Sequence, residues 1–227
     1  PGAQRKMDID RFIDAGFRGQ IVPGRTLEAV DTERAIVGTS SRVDLIGSNP
    51  LLAQAARWMV TQTNAELRLK QRIAELRGRY DVIVVDSCPG LGALLNSTLN
   101  AADRLIIPVD PGFYGYMGIQ ELRNEVEEIR AGTNPDLSIL GVVLTLSERT
   151  VIARETLDAL VGQFGDLVFK TQIRRCVALR ESPAVGQSVF SYAPRSNGAE
   201  DYADLAIEVI QRLRPTAERS VEGVAHA

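Results

Sequence analysis

Apolar residues along this chain fall into two rhythms. One is the short unbroken run, the other a longer stretch in which they recur every three or four positions. The runs are "RVDLIGS" (Arg42 to Ser48), Val82 to Asp86, "RLIIPV" (Arg104 to Val109), "SILGVVLTL" from Ser138, and "LVFKTQI" ending at Ile173. Their length and β-branched content predict strands. Between them the spacing predicts helices over about Ala65 to Arg77, Gly92 to Ala101, Tyr116 to Arg130 and Val151 to Phe164. A further helix starts at Asn49 before Pro50, because Asn caps free amides and Pro tolerates the first helical position; it carries Leu52 and Trp58.

The clearest periodicity comes last. Tyr202, Leu205, Ala206, Val209, Ile210 and Leu213 follow the helical repeat, with Asn197 and Glu200 as capping signal and Pro215 as the stop. Upstream, Pro1 to Ala15 reads as a turn feeding a helix with Met7, Phe12 and Ile13 on its apolar positions, and Gly16 to Gly24 as a loop. Strands that are apolar throughout, alternating with helices, predict an α/β fold whose mostly parallel sheet is covered on both faces. The expected organisation is one domain over residues 1–214 and a loose tail over 215–227.

Composition changes this picture little. The 227 residues are 44% hydrophobic, enough for one sizeable core, and no apolar run approaches the length of a membrane span. Cys88 and Cys176 lack metal-ligand spacing, which points to reduced thiols in a cytoplasmic protein. His226, the only histidine, lies in the tail, so histidine acid–base or metal chemistry is not expected. Glu127 and Glu128 read as a solvated helix face and Ser97 as helix filler. Charge is more informative. The chain has a formal net charge of -3, yet Lys170, Arg174, Arg175, Arg180 and Arg195 face a single acid, Glu181, between Lys170 and Gly198, a local excess of +4. Such a cluster reads either as surface arginines paired with the acidic final helix or as a phosphate-binding patch.

"YDVIVVDSCPGLG" (Tyr80 to Gly92) ends an apolar run on Asp86 and turns through Pro and Gly, which fits a carboxylate at the ligand-binding carboxyl edge of a parallel sheet. Downstream come "ADRLIIPVDPGFYGYMGIQEL", "GVVLTLSERT" and "FKTQIRRCVALRESPAVGQSVFSYAPRSNGAEDYADLA"; upstream lie "PGAQ", "GRTLEAV" and "VDLIGSN". Together they resemble the ParA family of chromosome and plasmid partition ATPases, of the deviant Walker type, from Pro1 to about Leu213.

The resemblance implies a three-layer P-loop NTPase-like fold and a nucleotide-driven homodimer. It implies ATP and Mg²⁺ as cofactors, DNA bound without sequence preference, and a ParB-type partner that stimulates hydrolysis on the nucleoid. By it, Asp86 is the Walker B acid on the Mg²⁺ side, catalytic and metal-linked; Thr145, Ile173, Arg174 and Arg175 flank the adenine. The same resemblance implies that Arg174, Arg175, Arg180 and Arg195 bind DNA. The family's Ile-Pro-Arg-Asn stands here as Ile173, Arg174, Arg175, Cys176, a departure at the adenine side.

A Gly-rich loop ending in Gly-Lys-Ser/Thr is absent from the 227 residues. The reading is of a chain truncated before the end of the Asp-x-Asp-Pro segment, lacking the N-terminal strand and phosphate loop and inactive as an ATPase by itself. By the resemblance, the missing strand lies between Val82–Asp86 and Arg104–Val109, and its loss strips both of partners. Two alternatives stay open: a MinD-like positioning ATPase at a membrane, against which the tail's lack of a basic amphipathic face counts, and a nucleotide-independent ParA-like DNA-binding scaffold.

Overall fold

The computed structural model describes residues 32–38, 43–47, 52–87 and 92–213. The helix expected over Pro1 to Ala15, the loop after it, the Asn49–Pro50 helix start and the tail from Pro215 lie outside the described residues. Contacts divide the chain into two compact units, Pro1–Asp103 with Asn124–Leu137, and Arg104–Arg123 with Ser138–Ala227.

The first unit begins with a short helix, Thr32–Ala35, and an antiparallel ribbon in which β1 (Val37–Gly38) pairs with β2 (Asp44–Leu45). β2 lies inside the expected Arg42 to Ser48 strand but keeps only two residues; β1, at the end of the short apolar run Ala35 to Val37, is not among the expected strands. The helix Leu52–Met59 follows. The expected Ala65 to Arg77 helix is instead a tight turn, Ala65–Leu67, and a helix, Arg68–Ala74. Past Ala74 the chain tightens, with Leu76 N–H on Ile73 O at 3.0 Å and Arg77 N–H on Ala74 O at 3.3 Å, and then reverses at Gly78, whose φ of 81° is a left-handed turn that a Cβ resists. Leu69, Ile73 and Leu76 carry it onto Ala35, Ile36 and Ile46.

Val82 to Asp86 is not a ladder strand, contrary to expectation: residues 82–87 are irregular and no described residue pairs with them. A strand is held by its neighbours' N–H and C=O groups, and among the described residues only side chains anchor the segment. Ile83 and Val85 pack on the core, while Val82 and Val84 on the opposite face are 61% and 76% exposed. The helix Ala93–Ala101 is buried nearly all round, including Ser97, and its C-terminus is closed by Asn134, whose Nδ2 donates to Leu99 O at 2.9 Å and Ala102 O at 2.8 Å.

The second unit is organised on the parallel pair β3 (Arg104–Val109) and β4 (Ser138–Leu144), with a register shift between Leu105 and Ile106 that sets Ile106 opposite Gly141. β3 matches its expected span, and the helix after it runs Phe113–Ala131, longer than expected at its N-terminal end. The helix Val151–Phe164 also matches, and Thr150 caps it by accepting the Ala153 amide. Ile107, Val109, Val142 and Leu144 meet Leu160 and Phe164 of that helix in the core.

The expected strand "LVFKTQI" is an extended segment which, among the described residues, is bridged at Val142–Val168 and, just past its end, at Ser147–Arg174. Phe169 N–H donates to Val142 O at 2.8 Å and Ile173 N–H to Leu144 O at 2.9 Å, but the ladder is broken because the amides of Lys170 and Thr171 go to a side chain, Glu208. The final helix, Asn197–Leu213, is rotated from its apolar stripe: Leu205 and Val209 pack on Val143, Phe169 and Ile173, whereas Tyr202 and Ile210 are exposed. Polar Asp201, Glu208 and Arg212 occupy the docked face in their place.

Candidate functional site

In the first unit, Asp86 leaves the extended Val82–Val85 run as an exposed carboxylate that accepts no hydrogen bond and forms no ion pair among the described residues. Ile83 and Val85 fix the backbone just before it. A free, hard carboxylate oxygen of this kind suits the oxygen shell of Mg²⁺, directly or through water. Cys88, two residues on, lies outside the described residues. No cluster of three or more His, Cys, Asp or Glu side chains that could hold a metal by itself occurs among the described residues.

In the second unit, Thr145 stands at the carboxyl end of β4, its amide bonded to Val109 O at 2.8 Å and its hydroxyl donating to Asp110 Oδ1 at 2.7 Å. Leu146 follows with φ 49°, a left-handed conformation uncommon for a branched side chain, and is 38% exposed. Ser147 closes this turn onto the next segment: its N–H donates to Ile173 O at 2.9 Å, and its carbonyl accepts Arg175 N–H at 3.1 Å. The structure therefore brings Thr145 and the Ile173–Arg175 segment together at one sheet end. Ile173 itself is 3% exposed and packs in the core, so the segment offers a ligand its backbone and its arginines rather than the Ile173 side chain.

The four arginines fall in different electrostatic settings. Arg174 is held by Asp201, a buried carboxylate that takes the backbone amide at 2.8 Å and Nε at 3.0 Å, and by Glu200 at 2.7 Å. The hydrogen bonds from Asp201, then Glu200, hold the Arg174 guanidinium even more firmly protonated than usual. Two carboxylates on one cation leave it little charge to offer a phosphate. Arg175 meets a single acid, Glu148, at 2.7 Å in an exposed pair. Arg180 and Arg195 are exposed with no ion pair among the described residues, and so is Lys170. Glu181, adjacent to Arg180, accepts instead from the Tyr192 hydroxyl at 3.0 Å.

Cys176, half-buried after Arg175, is a free thiol. Burial pushes it up, but the amides of Gly198, Leu179 and Ala178 and the Ser196 hydroxyl outweigh that and bring it below the usual thiol value. Gly198 must be glycine for this approach, since a Cβ there would lie 3.1 Å from the sulfur and 2.8 Å from Leu179 Cγ. Sequence reasoning missed Asp110 and Glu148 as partners of its candidate residues, whereas Glu200 and Asp201, which hold Arg174, lie on the acidic final helix that it offered as a partner for these arginines. Only the Lys170–Gly198 charge excess hinted that acids elsewhere in the chain must answer it.

The family model for an AAA domain matches residues 17–139. The chain is 34% identical over 214 residues to the sporulation initiation inhibitor protein Soj of Bacillus subtilis, covering 87% of this chain and 85% of that one. It is 31% identical over 210 residues to the chromosome partitioning protein ParA of Myxococcus xanthus, covering 90% and 74%. Among solved structures it resembles a cobyrinic acid a,c-diamide synthase of Mycobacterium smegmatis with bound ATP analog and magnesium, at 27% identity and TM-score 0.61 over 75% of this chain; the chain spans 65% of that one. It superposes on a complex of Cyanothece McdA with ATP at TM-score 0.69 and 18% identity, over 88% and 76% of the two chains, a likeness of fold. The fold is thus that of the P-loop ParA/MinD-type NTPases, and the chain belongs to the ParA family of partition ATPases.

Proposed function

We propose that this chain forms the Mg²⁺-side, base-side and DNA-binding parts of a ParA-type ATPase that partitions a chromosome or plasmid. The observation that carries the reading is Asp86, an exposed carboxylate without a partner among the described residues, delivered by a core-anchored extended run. Asp86 would hold Mg²⁺ or a water of its shell, and the metal, when bound, supplies charge neutralisation for γ-phosphoryl transfer to water. Thr145 and the backbone of Ile173 to Arg175 would flank the adenine at the sheet's carboxyl end, the place where open α/β sheets bind ligands. Hydrolysis needs a phosphate-cradling loop, and none lies within these 227 residues, so turnover and the ATP-dependent steps are proposed only for a full-length protein that supplies one.

Lys170, Arg175, Arg180 and Arg195 form the surface that meets DNA phosphates, without reading bases. Arg174 is left out of it, because Asp201 and Glu200 already neutralise it. The protein acts as an ATP-dependent homodimer on nucleoid DNA in the cytoplasm, released when a ParB-type partner triggers hydrolysis. The test is binding of the full-length protein to DNA fragments of unrelated sequence with Mg-ATP, with Mg-ADP and with neither. Sequence-independent binding that needs ATP and is lost in Asp86→Ala is expected. Binding indifferent to nucleotide would favour a nucleotide-independent scaffold instead.

A further inference from the structure

Arg175 and Glu148 are held side by side by backbone as well as by charge. Arg175 N–H donates to the carbonyl of Ser147, the residue before Glu148, at 3.1 Å, and Arg175 Nε meets Glu148 Oε1 at 2.7 Å. The two side chains are 47% and 50% exposed, so water screens the pair and little is lost when it opens. Arg174, one residue earlier, makes the contrast: its partner Asp201 has a side chain only 7% exposed and also holds the Arg174 backbone amide, so that pair is part of the fold and stays closed. Lys170, Arg180 and Arg195 have no ion pair among the described residues, and so no acid to leave. Among the five cations of this stretch, Arg175 alone has an exposed counter-charge as its sole ion-pair partner among the described residues; Arg174 also meets the exposed Glu200, but losing it leaves Arg174 still tied to Asp201.

Resting on the DNA-binding reading above, we propose that Glu148 acts as an internal stand-in for phosphate: its carboxylate occupies Arg175 in the free protein and lowers DNA affinity by competing for it. An Arg175–phosphate contact must first displace Glu148, exchanging one anion for another, whereas the unpaired cations gain theirs outright. The device restrains the affinity of a protein that has to leave DNA as well as bind it, and it concerns every DNA sequence equally, because the contact is to phosphate.

The experiment is a double-mutant cycle in DNA affinity on the full-length, ATP-loaded protein, using duplexes of unrelated sequence at one fixed salt concentration. Glu148→Gln should tighten binding roughly two- to fivefold, the worth of an exposed ion pair, with an unchanged melting temperature. In an Arg175→Ala background the same substitution should give no gain. Glu155→Gln removes an exposed acid that has no ion pair among the described residues and serves as the control for net charge alone. A gain that persists without Arg175, an equal gain from Glu155→Gln, or no gain from Glu148→Gln in a protein that does bind DNA would each overturn the proposal. Wild-type protein that binds no DNA at any salt would remove the DNA-binding reading itself, a separate result.

Discussion

Glu208 and Arg212 lie one turn apart on the final helix and form a 3.0 Å ion pair whose members face opposite backbone chemistry. Glu208 accepts the amides of Lys170 at 3.0 Å and Thr171 at 3.2 Å; Arg212 donates to the carbonyls of Leu140, Leu167 and Val168 at 2.8 to 3.0 Å. Its guanidinium also lies 4.0 Å from the Phe169 ring centroid. The pair supplies the hydrogen bonds that a regular ladder would have given this sheet edge, and so docks the helix through polar groups.

This arrangement makes stability depend on pH in a definite direction. Burial pushes the Glu208 carboxyl up, but the Lys170 and Thr171 amides and the Arg212 guanidinium outweigh it, leaving it below the usual value. A carboxylate depressed in the folded state contributes stability above its unfolded value, about 4.3, which is lost as pH falls through the folded one. Glu208→Gln should therefore melt lower than wild type at pH 7, with the difference shrinking below about pH 4. Arg212→Ala, which strands the part-buried carbonyls of Leu140 and Val168 and the Glu208 carboxylate, should cost about 3 kcal/mol in urea unfolding.

Gly141 is the second requirement of the same contact. A Cβ at this β4 position would come within 2.3 Å of the Phe169 ring and 2.7 Å of Arg212 Nη1. Gly141→Ala should destabilise by about 1–3 kcal/mol through overpacking, despite the better strand propensity of alanine. Gly162→Ala, where nothing lies within 4 Å, is the matched control and should leave the unfolding midpoint unchanged or raised.

The elements that were legible in the sequence are those whose own side chains decide them. Arg104–Val109 and Val151–Phe164 have strong apolar patterns and lie where expected. The final helix was legible as a helix but not in its orientation, since Glu208 and Arg212 at i, i+4 look like an ordinary solvated pair until the amides and carbonyls they serve are known. For the same reason Arg174 could not be told from Arg175: adjacent in sequence, they differ through Asp201 and Glu148, each more than twenty residues away. Val82–Asp86 was legible as an extended run ending in an acid, but pairing depends on a neighbour that its own residues do not contain.

Arg195 and Arg180 offer the direct test of the phosphate-binding surface. Arg195→Glu in the full-length, ATP-loaded protein should weaken binding to all DNA sequences alike and flatten the dependence of log affinity on log salt by about 0.9. Arg174→Gln should leave that slope unchanged while lowering the melting temperature, because Asp201 and Glu200 lose their partner. An unaltered slope in Arg195→Glu would return that arginine to an ordinary surface role.

The Val82–Asp86 segment carries the last prediction. Its backbone has no ladder partner among the described residues, and Val82 and Val84 are exposed on one face. Ile106 of β3 is also 37% exposed, so a third apolar residue in an extended stretch faces water. An extended apolar segment with unpaired amides is a template for other strands, which proteins ordinarily block with charge or cover with another element. The 227-residue chain should accordingly self-associate at micromolar concentration through this segment. Val84→Lys, which puts a charge on the exposed face and leaves Ile83 and Val85 in the core, should raise the concentration at which light scattering sets in without lowering the unfolding midpoint. Concentration-independent monomeric behaviour of the wild-type chain in sedimentation would falsify the idea that this edge is open in solution.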